Sequence, residues 1–271
     1  MGTQSQLWMQ CKMAIRKSHR FRSGDYAASK RWDQNGDWRN YGDIEDWKKR
    51  ATVRMSAISS HGQAEAVDLL STVEHVKTAG LAGDFVECGV YMGGSSAEMI
   101  YAAGLLDLDK NMWMYDTYDG VPEPDESDTI EFGNKQVRST LEWWRENKQD
   151  ENGESAWCYA TLEDVQQNIQ EFTEGCGYRG SVRYVKGLVQ DTIPLEAPEK
   201  ISILRVDVDL TEPTMHVLKW LYPRVVSGGH IILDDYGKFP SVKAAVDEFL
   251  ATKGNPYIYR VNYNCRHIVK P

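Results

Sequence analysis

Residues 84–106 read DFVECGVYMGGSSAEMIYAAGLL. DFVECGV (84–90) is a short β-prone run. Gly93 and Gly94 make a turn, and AEMIYAAGLL follows as a helix. Ser95 with Glu98 three residues on predicts a capping box at its start. A strand, a glycine turn and a helix form the unit from which open α/β sheets are built. The same alternation continues outward. MWMYD (112–116), VRYV (182–185), ISILRVDVD (201–209) and HIILDD (230–235) read as further strands. AEAVDLLSTVEHVKTAG (64–80) precedes the first strand as an amphipathic helix, with Ala66, Leu69, Leu70, Val73 and Val76 on one side and Gly80 ending it. LEWWRENKQ, TLEDVQQNIQEF, EPTMHVLKWLYPRV and SVKAAVDEFLAT read as helices, the second capped by Thr161 with Asp164, the last entered through Pro240. YIYRV and CRHIV close the chain around Asn262–Asn264. Their connection is too short for a parallel crossover, so they are antiparallel. The expected fold is α/β: a mixed, mainly parallel sheet with helices on both faces and a C-terminal antiparallel hairpin.

Composition narrows the function classes. The 271 residues are 41% hydrophobic and 26% charged, which supports a folded core. A net charge of −9 excludes a broad nucleic-acid footprint. No stretch is apolar enough to span a membrane, and no secretory leader pattern is present. The five cysteines, Cys11, Cys88, Cys158, Cys176 and Cys265, are odd in number and widely spaced, with no CxxC. They read as free thiols in a reducing compartment, hence a cytoplasmic location. Residues 1–60 hold twelve Lys/Arg against six Asp/Glu and show no regular period. They read as an irregular arm or lid ahead of a domain at 61–271. A lid over a small-molecule site and a dimer arm, hence a homo-oligomer, both fit.

Ligands bind beyond the carboxyl ends of the strands in such sheets. The first strand delivers Glu87, Gly89, Tyr91, Gly93 and Ser95 to that rim, the second Asp116, the third Gly187 and Leu188. The fourth delivers Asp207 and Asp209, the fifth Asp234 and Asp235. A glycine turn at a helix N-terminus admits a ligand close to the backbone. Its spacing is not the GxGxxG dinucleotide fingerprint. Asp116 stands where a carboxylate can accept both hydroxyls of a ribose. Asp207 and Asp209 point the same way if the strand continues through them. Several carboxylates on one rim repel unless a cation joins them. A hard divalent ion, Mg²⁺, suits that set. Asp209 and, less directly, His216 are the candidates for a general base.

DFVECGVYMGGSS, MYDTYDGVPEP, KGLVQDTIP and LRVDVDLTEPTMHVLKWLYPRVVSGGHIILDDYGKFPSVKAAVDEF occur together and in order. In these runs the chain, over roughly residues 61–271, resembles the macrocin O-methyltransferase family, Mg²⁺- and S-adenosylmethionine-dependent sugar O-methyltransferases of macrolide biosynthesis. The resemblance implies a Rossmann-like class I methyltransferase fold. It implies that Glu87, Gly89, Gly93 and Ser95 hold the methionine part of the cofactor, with Asp116 on the ribose and Gly187 and Leu188 near the adenine. It implies Mg²⁺ on Asp207, Asp234 and Asp235. The implied reaction moves a methyl group to a sugar hydroxyl of a glycosylated natural product or an activated sugar. A catechol-type acceptor and a non-catalytic cofactor-binding member remain alternatives. The family's usual DGDLY run is here Asp207-Val208-Asp209-Leu210-Thr211, with Thr in place of Tyr.

Overall fold

The strand that opens the sheet, β1 (Asp84–Cys88), is buried along four of its five residues and pairs in parallel on both sides. A computed structural model describes residues 42–132, 135–147 and 157–271. Most of the arm or lid expected over residues 1–60 lies outside the described residues. Within that stretch, residues 46–55 form a helix, α1 (Asp46–Met55), which buries Ala51 and Met55 completely. Helix α2 (Gln63–Thr78) follows; all five residues read as its apolar face are buried, and Gly80 takes φ +62° after its end.

Helix α3 (Gly94–Leu105) follows β1, and β2 (Met112–Asp116) lies beside it in the sheet. The polar excursion after β2 carries a two-stranded hairpin, β3 (Thr129–Glu131) and β4 (Val137–Ser139), and α4 (Thr140–Asn147). Helix α5 (Leu162–Thr173) has the expected Thr161–Asp164 capping box. After β5 (Val182–Lys186) come a single turn, α6 (Val189–Thr192), then β6 (Ile201–Val206) and α7 (Thr211–Leu221). Strand β7 (Val225–Leu233) begins five residues earlier than read, so His230 lies within it rather than at its start. Helix α8 (Pro240–Ala251) starts at Pro240, and β8 (Ile258–Arg260) and β9 (Arg266–Val269) end the sheet.

The seven strands run in the order β5-β2-β1-β6-β7-β9-β8. The first five are parallel, and β9 is antiparallel to both its neighbours. The last strand therefore inserts between β7 and β8, with β8 on the edge. Asn262 Oδ1 holds the tight turn between them, accepting from the Asn264 and Cys265 N–H groups, each at 2.8 Å. The excursion is not a free loop. Thr129 and Ser241 exchange backbone-to-hydroxyl bonds of 3.0 and 3.1 Å, and Glu131 N–H donates to the Lys238 carbonyl at 2.7 Å. Ile130, Trp144 and Trp157 are buried in the same cluster as Phe239, so the excursion is packed beside the ends of β6 and β7.

Between α2 and the sheet runs a chain of imidazoles. His75 Nδ1 lies 2.8 Å from His230 Nε2, His230 Nδ1 lies 2.8 Å from His267 Nε2, and His267 Nδ1 lies 2.7 Å from Asp68 Oδ2. With Asp68 ionised, each ring donates through Nδ1 and accepts through Nε2, so every tautomer in the chain is set from one end. Burial, reinforced by His267 and His75, pushes the His230 pKa down to about 3. A buried ring that must stay neutral stabilises the fold above the unfolded-state pKa of about 6.5 and loses that contribution as pH falls toward 3. We expect the wild type to lose about 2 kcal/mol more stability than His230→Asn between pH 7.5 and 5. Urea unfolding at the two pH values measures this, and equal losses would remove His230 from the account.

Candidate active site

Gly89, directly after β1, takes φ +84°, and a Cβ there would stand 1.7 Å from the Asp207 carbonyl oxygen. Only glycine lets the two loops cross at that point. Gly93, φ +89°, is the residue before α3, and a Cβ on it would press Val165 and Ile169 of α5 at 3.3 Å. The Ser95–Glu98 capping box is not formed. The helix begins at Gly94, with Gly93 rather than Ser95 as the capping residue, so Ser95 faces inward: its hydroxyl donates to Glu87, as does that of Ser96. Glu98 instead meets His61 Nε2 at 3.1 Å, both groups buried.

Glu87, expected at the cofactor end of the first strand, has partners from within the chain. It is 0% exposed and lies beneath the glycine turn. Its charge is met by Arg205, which projects from β6 in register beside it. Arg205 Nη1 donates to Glu87 Oε1 at 2.8 Å and to Asp207 Oδ2 at 2.6 Å, while Nη2 donates to Asp234 Oδ1 at 2.9 Å. Burial opposes the guanidinium charge, but Asp207, Asp234 and Glu87 overcome it and hold the group ionised. Sequence reasoning missed Arg205. Its signal was present: a lone arginine inside the most apolar strand is costly unless paired.

Asp116 ends β2 as read, but its carboxylate is already engaged. Oδ2 accepts from the Val90 and Tyr91 N–H groups at 2.6 and 3.1 Å, and Oδ1 from the Tyr118 N–H at 2.7 Å. Burial raises its pKa against these donors. With the Thr117 hydroxyl donating to Oδ1 at 3.4 Å, a carboxylate's roughly four acceptor positions are all met by the loops after β1 and β2. Each loop has a residue that needs bracing, because Tyr91 and Tyr118 hold positive φ, +50° and +51°. Gly187 (φ +137°) donates its N–H to the Asp116 carbonyl at 3.0 Å, which sets the end of β5 beside β2. Leu188, next to it, is 38% exposed on the same rim.

One ligand atom from each of Asp207, Asp234 and Asp235 lies within 4.8 Å of the others. The strand ends at Val206, so Asp207 and Asp209 do not alternate along it as expected. The chain turns there, with Asp209 at φ +60° and its N–H donating to Asp235 Oδ2 at 2.8 Å. The turn nevertheless brings Asp209 to the cluster. Burial and then Asp207 push its pKa up to about 7. Burial and the neighbouring carboxylates also raise Asp234 and Asp235 well above the usual range. Arg205 therefore does not balance the cluster. A convergent, charge-deficient set of oxygen donors suits a hard divalent cation. Asp128, from the excursion, accepts the Thr211 N–H at 3.0 Å and caps α7 beside it. His216 is placed elsewhere: its Nε2 lies 2.8 Å from the Ile193 carbonyl, tying α7 to the loop after α6.

The model of one family, Macrocin-O-methyltransferase (TylF), matches residues 6–265. The chain belongs to that family. The match begins at residue 6, so the family pattern extends through the stretch before residue 61. Demethyldecarbamoylnovobiocin O-methyltransferase of Streptomyces niveus is 30% identical over 66% of this chain and 62% of its own length. 8-Demethyl-8-(2,3-dimethoxy-alpha-L-rhamnosyl)-tetracenomycin-C 4'-O-methyltransferase of Streptomyces olivaceus is 33% identical over 60% of this chain and 57% of its own. The matched stretch thus spans about three fifths of these relatives. The solved structure of the O-methyltransferase NovP superposes with a TM-score of 0.64 at 24% identity, covering 79% of this chain and 82% of that one, and shares the fold. Among the described residues no helix is long and apolar enough to cross a membrane.

The bracing geometry gives Asp116 a role that is present without any ligand. Asp116→Ala leaves three loop N–H groups without their acceptor, and we expect the ligand-free protein to lose about 1.5–3 kcal/mol. Urea unfolding in the absence of cofactor tests this. Unchanged stability would return Asp116 to a purely ligand-binding role.

Proposed function

We propose that this protein transfers a methyl group from S-adenosylmethionine to a sugar hydroxyl of a glycosylated natural product or an activated sugar, with Mg²⁺ at the acidic cluster. The observation that carries the reading is the meeting of a glycine turn and a charge-deficient carboxylate cluster on one rim of a macrocin-O-methyltransferase family member. The rhamnosyl acceptor in one relative's name supports a sugar. In this reading Gly89, Tyr91, Gly93 and Ser95 shape the cofactor loop, Asp116 braces it, and Glu87 supports it from below. Gly187 and Leu188 border the adenine side.

Asp207, Asp234 and Asp235 would hold the ion. When bound, the cofactor supplies an activated methyl group and the ion supplies a Lewis acid that lowers the pKa of a coordinated hydroxyl. Arg205 keeps Asp207 and Asp234 turned toward one another. The Asp209 carboxylate, its pKa raised to about 7 by burial and by Asp207, would take the acceptor proton.

The test is transfer from methyl-labelled S-adenosylmethionine to activated sugars, glycosides and catechols, on metal-stripped protein with Mg²⁺ or with excess chelator. We expect label on a sugar hydroxyl, dependent on Mg²⁺, and a chemical step about 10²–10⁴ slower in Asp209→Asn. Transfer at full rate in chelator would contradict the metal assignment. Label only on catechols would replace the sugar.

A further inference from the structure

The two halves of the rim share one counter-ion, and this makes Arg205 more than a core ion pair. On one side its guanidinium holds Glu87, which accepts from Ser95 and Ser96 in the first turn of α3. On the other it forks to Asp207 and Asp234. The side chain is 4% exposed, so water does not screen these bonds as it would at the surface. A backbone contact runs parallel to it: Asp207 N–H donates to the Cys88 carbonyl at 2.8 Å, and Gly89 passes against the Asp207 carbonyl. No other arginine or lysine is bonded to Glu87, Asp207 or Asp234 among the described residues.

We propose that Arg205 is a positioning residue that couples binding at the glycine turn to cation binding at the acidic cluster. The inference rests on the reading of those two places as cofactor and metal sites. One guanidinium serves three carboxylates, so its bonds compete. A cation on Asp207 and Asp234 takes up their charge and leaves Glu87 as the anion that Arg205 holds. Glu87, held by that bond, then fixes the Ser95 and Ser96 hydroxyls and the start of α3 against which a cofactor would rest. The same balance works in reverse, because coupling between two binding sites is reciprocal. Lysine at this position offers one ammonium in place of a planar fork and cannot reproduce the Nη1 and Nη2 bonds to the three carboxylates.

The probe is S-adenosylhomocysteine, which lacks the sulfonium charge and so removes direct repulsion of the ion. Calorimetry measures its dissociation constant in excess Mg²⁺ and in chelator, for the wild type, Arg205→Lys, and the double variant Glu87→Gln/Arg205→Met. The double variant removes both buried charges and guards against a fold lost to an unpaired Glu87. We expect Mg²⁺ to tighten wild-type binding by about fivefold or more, and the effect of Mg²⁺ to fall to near unity in Arg205→Lys and in the double variant, whatever the change in either ligand's own affinity. Wild-type binding of both ligands with no effect of one on the other overturns the inference. So does an effect of wild-type size in either variant. Failure of the wild type to bind either ligand would instead overturn the functional reading itself.

Discussion

The bond set on which the site depends is the fork of Arg205 across Glu87, Asp207 and Asp234. Each of those carboxylates sits at or near the end of a different parallel strand, β1, β6 or β7. Burying a carboxylate such as Glu87 without a partner costs several kcal/mol, and removing one member of a buried pair is far more damaging than never having it. The fork therefore constrains more than charge. It aligns the ends of three strands, seats the first turn of α3 through Ser95 and Ser96, and leaves Asp235 and Asp209 to complete a cluster that one guanidinium does not neutralise.

Close backbone approach completes what the fork begins. The crossing of Gly89 and Asp207 puts the glycine turn and the acidic turn in direct contact, and the Asp116 carboxylate holds one strained residue on each side, Tyr91 in the glycine turn and Tyr118 after β2. The excursion after β2 adds a fourth element, since Asp128 caps α7 and the β3–β4 hairpin bonds to the start of α8. These contacts tie segments distant in sequence to the ends of β6 and β7.

The strand–helix alternation from residue 84 onward was legible because each element carries its own local pattern: the apolar runs of β1 and β6, Thr161 with Asp164, Pro240 opening α8. The terminal pair was legible as antiparallel, but the insertion of β9 between β7 and β8 was not, since nothing local to RHIV names its second neighbour. The metal-suited carboxylates could be read from strand ends. Their counter-ion could not be read as easily, because pairing Glu87 with Arg205 requires knowing that β1 and β6 are neighbours in register. The role of Ser95 shifted for a related reason: the buried Glu87 carboxylate nearby outcompetes the local cap. The loop N–H groups that meet Asp116 were not legible either, because they come from a turn that only the β1–β2 pairing brings beside it. His230 gave no sign of its chain, which joins β7, β9 and α2 across 199 residues of separation between Asp68 and His267.

The most direct test of the account is anomalous diffraction from crystals grown with Mn²⁺, standing in for Mg²⁺, and S-adenosylhomocysteine. The account predicts one strong peak bounded by Asp207, Asp234 and Asp235, the nucleoside beside the glycine turn, and Arg205 still bonded to Glu87 beneath both. A peak outside those three carboxylates, or an Arg205 side chain withdrawn from Glu87 in the loaded protein, would contradict it.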